Sequence, residues 1–358
     1  MESPGGSEDE AAIDPLCHTL VGATLARSGL CRRTALGTAT LLIGANLPDV
    51  DILAYFDGPA ADLSFRRGWT HGIPALIVLP FLLTGVIILF DRLVRRLGQA
   101  TLPSTVVPGQ ILRLAGIAVL THPILDTLNT YGVRWLMPFS PRWFYGDTLF
   151  IVDPWLWIVL GIGVVLSGER LRGGVKARRR RRSARVAVAV ACAYVVAMAV
   201  TGWMARRLVA GELTAMTGER VDGLMVAPAP VTPFERSVVA AQGRVYRVAD
   251  FRWFRRPHID PASVRSYPRG RPTEPAVATA SETELGRRFL SWARFPVFQT
   301  ERMAGGGTLV HMIDLRYASR PGAGFGTVTV EVPATTAFGP SSRNPPPFPP
   351  NATGAPPP

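Results

Sequence analysis

Six side chains able to bind a divalent metal or move a proton stand in or beside apolar stretches of this sequence, where ionisable groups are costly: His18, Asp49, Asp51, His71, His122 and Asp126. His122 and Asp126 are four apart in a helical context and so project from one helix face a turn apart, a spacing suited to gripping one ion or to a histidine held by a carboxylate. Asp49 and Asp51, within Pro48-Asp49-Val50-Asp51, offer one bridging carboxylate and one acceptor behind it. Imidazole nitrogen and carboxylate oxygen suit zinc or a similar divalent ion, which lowers the pKa of a bound water and yields a nucleophile at neutral pH. Two ions would stabilise both the attacking and the leaving oxygen of a phosphoryl substrate. Arg67 could bind a phosphate oxygen, and Gly68, in Arg67-Gly68-Trp69-Thr70-His71, would let the backbone approach closely. Asp147 and Asp153 are further candidates, as additional ligands or as groups behind them.

Taken one at a time, these residues have ordinary structural readings. His18 alone reads as a polar helix-packing residue, and Asp49 and Asp153, each next to a proline, read as helix caps. Cys17 reads as a small buried residue, and His258 and His311, without partners nearby in sequence, as structural. The functional reading therefore rests on where the set falls relative to the elements that carry it.

Those elements are apolar. Residues His71 to Phe90 and Val186 to Met204 carry no formal charge, and Pro154 to Gly168 is an apolar run preceded by Asp153; these anchor a membrane assignment. Pro15 to Ala26, Thr34 to Pro48 and Leu114 to Leu125 are apolar but shorter, and span only with their flanks or dip in beside other helices. Basic residues fall on alternate connections of these six segments: loops 27–33, 91–113 and 169–185 hold sixteen, the other two loops four. This asymmetry predicts the first group in the cytoplasm and both chain ends outside. On that topology the eight candidate groups, drawn from five segments, gather at the outer membrane face. The acidic first twelve residues do not read as a cleavable signal peptide.

The chain has 358 residues, 47% of them hydrophobic and 18% charged, with mean hydropathy +0.20. A wholly disordered chain is excluded. The net charge of +13 invites a nucleic-acid partner, but its densest run, Arg178 to Arg182, is squeezed between two apolar segments, as a topology determinant is; no nucleic acid is expected. The three cysteines, Cys17, Cys31 and Cys192, have no metal-type spacing and form no disulfide framework. Beyond Met204 the composition changes, with β-branched runs at Arg244 to Val248, Thr308 to Ile313 and Thr327 to Val332 and a helical pattern over Glu282 to Arg294. The expected fold is mainly α: a polytopic helical membrane bundle of about six segments over residues 14–207, followed by an extracytoplasmic, strand-rich α+β domain over 208–335 with one helix on its sheet. Residues 1–13 and the proline-rich 336–358 read as disordered tails.

With these residues in hand, the chain resembles the YdjM-like family of membrane-bound metal-dependent hydrolases. The resemblance runs through His18-Thr19-Leu20-Val21-Gly22, Pro48-Asp49-Val50-Asp51, Arg67-Gly68-Trp69-Thr70-His71-Gly72, His122-Pro123-Ile124-Leu125-Asp126 with Tyr131-Gly132, Pro138-Phe139-Ser140 and Asp153-Pro154, over roughly residues 14 to 205. Asp314-Leu315-Arg316-Tyr317 looks like a segment of longer members. The order His, Asp, His, His-x-x-x-Asp is also similar to that of zinc-dependent phospholipase C and P1-type nucleases, which implies phosphoric-ester hydrolysis at a multinuclear zinc site. The resemblance implies His18, Asp51, His71, His122 and Asp126 as direct ligands of one to three zinc ions, with Asp49 behind them or acting as a base. Those enzymes supply further histidines downstream, whereas this chain has none between His122 and His258, so that fewer metals bind or Asp147 and Asp153 stand in.

The expectation is thus a multi-pass metal-dependent hydrolase of a bacterial plasma membrane, embedded in the lipid bilayer and acting on a phosphoester of a lipid or lipid-linked molecule. The competing classes are a transport or ion-handling protein and a non-catalytic envelope protein with a structural metal.

Overall fold

The computed structural model describes residues 14–98, 105–168, 174–270, 273–317 and 325–334. The two expected tails, 1–13 and 336–358, lie outside the described residues, as do parts of loops 91–113 and 169–185.

Helices lie where each of the six apolar segments was expected, α1 (Asp14–Arg27), α2 (Gly37–Asn46), α4 (Ile73–Arg96), α5 (Pro108–Thr127), α6 (Pro154–Leu166) and α7 (Gly174–Thr217), and a short additional helix, α3 (Pro59–Phe65), follows a 3-10 stretch after α2. Among the described residues, three stretches are long and apolar enough to cross a membrane: Gly37–Asp57, Ile73–Arg96 and Arg178–Thr217. Helix α4, at 24 residues, is about 36 Å long against a hydrocarbon core of about 30 Å. Its outward side, with Ile77, Val78, Phe81 and Leu82 exposed, is as apolar as its buried side, the mark of a helix solvated by lipid. By the same measure α6, one of the three sequence anchors, falls short at 13 residues, while the second segment runs on past Pro48 to Asp57 as a 3-10 helix.

Small residues let the helices touch. Helix α1 packs on α2 and α6, α2 on α5, α4 on α5, and α6 on α7. A Cβ on Gly22 of α1 would sit 2.7 Å from the Leu41 carbonyl oxygen of α2, so only glycine permits this approach.

Helix α7 leaves the bundle and becomes part of the next unit's core, so the expected boundary at residue 207 falls inside a continuous helix. Its Ala205, Val209 and Leu213 are buried with Val226, Val238 and Phe251 of an antiparallel sheet and with Ile259 beside it. The sheet runs β1 (Gly223–Pro228), β2 (Glu235–Gln242), β3 (Val245–Arg252), β4 (Arg265–Pro268) in that order. A second antiparallel sheet, β5 (Pro296–Arg302), β6 (Thr308–Asp314), β7 (Thr327–Val332), packs on it through Phe295, Val297 and Ile313 against Met225, Val239 and Tyr246. Two helices rather than one precede this sheet, α8 (Pro275–Glu282) and α9 (Glu284–Trp292), with Thr283 capping α9 by accepting from Gly286 N–H. Phe289 and Trp292 of α9 are buried with Val310 and Met312 of β6.

Candidate metal centre

Four elements deliver the candidate residues to one end of the bundle. Helix α1 carries His18 near its start. The 3-10 stretch after α2 carries Asp49 and Asp51, the turn before α4 carries Arg67 and His71, and the last turns of α5 carry His122 and Asp126. His18, His71, His122 and Asp126 are each at most 1% exposed. One donor atom from each of Asp49, His71, His122 and Asp126 lies within 4.8 Å of the others.

The tautomers of the two central imidazoles follow from their neighbours. His122 Nδ1 lies 2.6 Å from the Ala45 carbonyl oxygen, which only accepts, so Nδ1 carries the hydrogen and Nε2 presents its lone pair inward. Thr70 Oγ1 donates to Asp51 Oδ2 at 2.9 Å and accepts from His71 Nδ1 at 2.9 Å, which likewise leaves His71 Nε2 unprotonated and pointing inward. His71 Nε2 is 3.2 Å and His122 Nε2 3.4 Å from Asp126 Oδ2, and His122 Nε2 is 3.3 Å from Asp49 Oδ1. Among the described residues neither Nε2, neither Asp126 oxygen nor Asp49 Oδ2 has a hydrogen-bond partner. Acceptors buried together without donors are expensive, and a cation at their centre removes the cost. Two imidazole nitrogens and two carboxylates therefore fit a divalent ion.

Asp51, expected as a direct ligand, stands one step out. Its Oδ2 accepts from the Arg67 backbone N–H at 2.7 Å and from Thr70, and lies 3.3 Å from His71 Nδ1, so it orients His71. Asp49, expected behind the ligands, reaches the centre itself. With three residues per 3-10 turn, Pro48 and Asp51 turn into the protein and Val50, Leu53 and Phe56 turn outward.

His18 is outside the tight group of four but adjoins it, with Nε2 3.4 Å from Asp126 Oδ1 and its ring stacked on His122 at 3.7 Å between centroids. Arg67 is buried, in the left-handed region at φ 51, a strained conformation for a non-glycine residue. Its Nη2 is 3.3 Å from Asp126 Oδ1 and its Nη1 donates to Asn129 Oδ1 at 3.0 Å. Gly68 accommodates a protein side chain rather than opening to the site: a Cβ there would lie 2.6 Å from Nη2 of Arg134, which donates to the Ser64 and Arg66 carbonyls. Burial pushes the Arg134 guanidinium below its ordinary pKa.

Asp147 and Asp153 are not brought into the centre. Asp147 accepts from Arg206 at 2.6 Å and Arg294 at 2.8 Å, joining α7 to the C-terminal unit. Asp153 caps α6 by accepting from Leu156 N–H at 3.0 Å and also accepts from the Tyr194 hydroxyl at 2.9 Å. Its rim position is nonetheless close: a narrow cleft between α1, α5 and α6 has His18, Asp126 and Asn129 among its polar lining and Leu125, Leu149 and Phe150 among its apolar lining.

Sequence reasoning missed Asn129, Thr70 and the Ala45 carbonyl. Asn129 lies just past the end of α5, in the turn that follows Thr127, so helical spacing did not mark it. It also missed the C-terminal contribution. Arg316 donates to the Thr130 carbonyl at 2.7 Å and Trp292 Nε1 to the Tyr131 carbonyl at 3.3 Å, while the Arg67 guanidinium lies 4.8 Å from the Tyr131 ring centroid.

The model of the YdjM inner membrane protein family matches residues 13–206, which include every residue of the centre. A relative, the "Uncharacterized protein YfhP" of Bacillus subtilis (strain 168), is 28% identical over 121 residues, covering 33% of this chain; the chain spans about a third (32%) of that relative's length. No solved structure matches.

Proposed function

The chain belongs to the YdjM inner membrane protein family, and from that premise we propose that it is a membrane-bound metal-dependent hydrolase that cleaves a phosphoester of a lipid or lipid-linked molecule. The observation that carries this reading is the convergence of the unpartnered Nε2 atoms of His71 and His122 on the carboxylates of Asp49 and Asp126. These four side chains would hold the ion, with zinc the best match to a nitrogen and oxygen donor set. Such an ion supplies Lewis acidity and a nucleophilic water at neutral pH.

The protein's own groups divide the remaining work. Arg67, pinned by Asn129 and already beside Asp126, binds a non-bridging phosphoryl oxygen and offsets the charge that develops in the transition state. Asp49 Oδ2, buried and without a hydrogen-bond partner among the described residues, would accept the proton of the attacking water. Asp51 and Ala45 hold the two imidazoles in the orientation that presents Nε2. The cleft beside His18 and Asp126 sets apolar Leu125, Leu149 and Phe150 next to these polar groups, as a substrate with an apolar portion near its phosphate would require.

The centre and the C-terminal sheets are read as extracytoplasmic. Support comes from the far end of the bundle, where Arg185 Nε donates to the Ser28 carbonyl at 3.0 Å and Arg181 packs by Gly29, so that two of the arginine-rich loops meet away from the centre. A transport role fits less well, because the ionisable groups collect at one end while the middles of α4 and α7 carry none. The test is release of phosphate or a phosphorylated headgroup from bilayer lipids by purified protein. Hydrolysis should need added divalent metal and fall at least a hundredfold in His122→Ala and Asp126→Ala. Metal-dependent ion flux without hydrolysis of any phosphoester would overturn the reading.

A further inference from the structure

An aromatic and arginine-rich tip of the C-terminal unit takes no part in the metal centre. In Arg252-Trp253-Phe254-Arg255-Arg256, where β3 ends, Phe254 is 86% exposed, and its ring lies 5.2 Å from that of Phe234, itself 52% exposed. The two turns are locked together by Trp253 N–H donating to the Phe234 carbonyl at 3.1 Å. Val231, in the turn before Phe234, is 66% exposed and held at φ 69, a costly conformation for a β-branched residue. Three large apolar side chains on two rigid turns make a surface that water does not favour.

The surface continues the lipid-facing side of the bundle. Trp155, in the first turn of α6, donates from Nε1 to the Val231 carbonyl at 2.7 Å, and the exposed face of α6 runs on from Trp155 through Ile158 and Ile162. Arg255 and Arg256, both exposed, follow Phe254 directly in the chain, and Arg255 also pairs with Asp260 at 2.9 Å. Apolar and aromatic groups beside cations, level with the end of an apolar helix, match the boundary between acyl chains and anionic headgroups.

We propose that this tip anchors the C-terminal unit to the bilayer, with Val231, Phe234 and Phe254 inserted at the acyl boundary and Arg255 and Arg256 on the phosphates of anionic lipids. The docking holds the sheets against the membrane face at which α6 begins, and it does not depend on what the metal centre catalyses.

Spin labels in the full chain test it. A nitroxide on Phe254→Cys and, as a control on the second sheet, on Glu301→Cys are compared in nanodiscs of mixed anionic and zwitterionic lipid, with Cys31 and Cys192 changed to serine. The label at 254 should be several-fold more accessible to oxygen than to an aqueous nickel chelate, with the reverse at 301. Arg256→Glu should move the 254 label toward water in anionic nanodiscs and leave it unmoved in purely zwitterionic ones. Equal aqueous accessibility at 254 and 301 overturns the proposal. Low accessibility to both probes at 254 also overturns it, because the tip is then covered by protein, such as a second copy of the chain. A label depth indifferent to Arg256→Glu overturns the role of the arginines.

Discussion

Two carboxylates two residues apart have different tasks in this centre, and the difference is measurable. Asp49 contributes a donor atom to the converging group, whereas Asp51 reaches it only through His71. Replacing Asp49 by Ala should remove a ligand and abolish tight metal binding. Asp51→Asn should leave the stoichiometry unchanged and weaken affinity by about 10- to 100-fold, the range seen when a group behind a ligand is lost. Equilibrium metal titration of both variants checks this, and equal losses would count against the assignment. The residue types and the i, i+4 pair His122 and Asp126 were legible in the sequence because helical spacing is regular. The order of Asp49 and Asp51 was not, because it depends on an 11-residue 3-10 stretch, longer than such helices usually run.

The apolar helices were legible from the absence of charge, since a stretch without ionisable groups is readable whatever its partners. What decides how the helices meet is small residues, and their use is visible only once neighbours are known. A Cβ on Gly163 of α6 would overlap the Ala187 Cβ of α7, while one on Gly161, two residues earlier, meets nothing within 4 Å. Gly163→Ala should therefore destabilise the protein by about 1–3 kcal/mol through overpacking. Gly161→Ala should be neutral or stabilise by up to about 1 kcal/mol through helix propensity. Thermal unfolding of both variants in the same detergent distinguishes them, with the melting temperature falling only for Gly163→Ala. The boundary of the C-terminal unit was placed where composition changes, but α7 runs through it, because the helix face that lies beyond the apolar run still buries Val209 and Leu213 against β1 and β2.

At the scale of the whole molecule, the C-terminal unit and the bundle share polar groups behind the centre. Asp314 and Arg316 have side chains that are 0% exposed, 2.8 Å apart, and Arg316 spans from Asp314 to the carbonyls of Thr130 and Trp292. Burial alone would depress the Arg316 pKa, but Asp314 beside it holds it above the ordinary value, so the guanidinium stays charged. Burial likewise pushes the Tyr317 phenol up to about 12, keeping it neutral where it lies 3.4 Å from Thr130 Oγ1. Removing one member of a buried pair leaves the other uncompensated, so Arg316→Ala should cost about 3–5 kcal/mol. The loss should appear as faster hydrogen exchange in residues 129–134, the loop that supports Arg67 and carries Asn129. Unchanged exchange there would mean that the two units are energetically independent. The sequence singled out Asp314-Leu315-Arg316-Tyr317 without a task for it, since a docking contact across nearly two hundred residues leaves no local pattern.

The account stands most directly on metal content. The purified chain, stripped with chelator, resupplied with zinc and freed of excess, should retain at least one ion per chain, and His71→Ala, His122→Ala and Asp126→Ala should each retain less than a tenth of that while staying folded. A wild-type chain that keeps no divalent ion, or folded variants that keep as much as wild type, would contradict a metal centre built from Asp49, His71, His122 and Asp126.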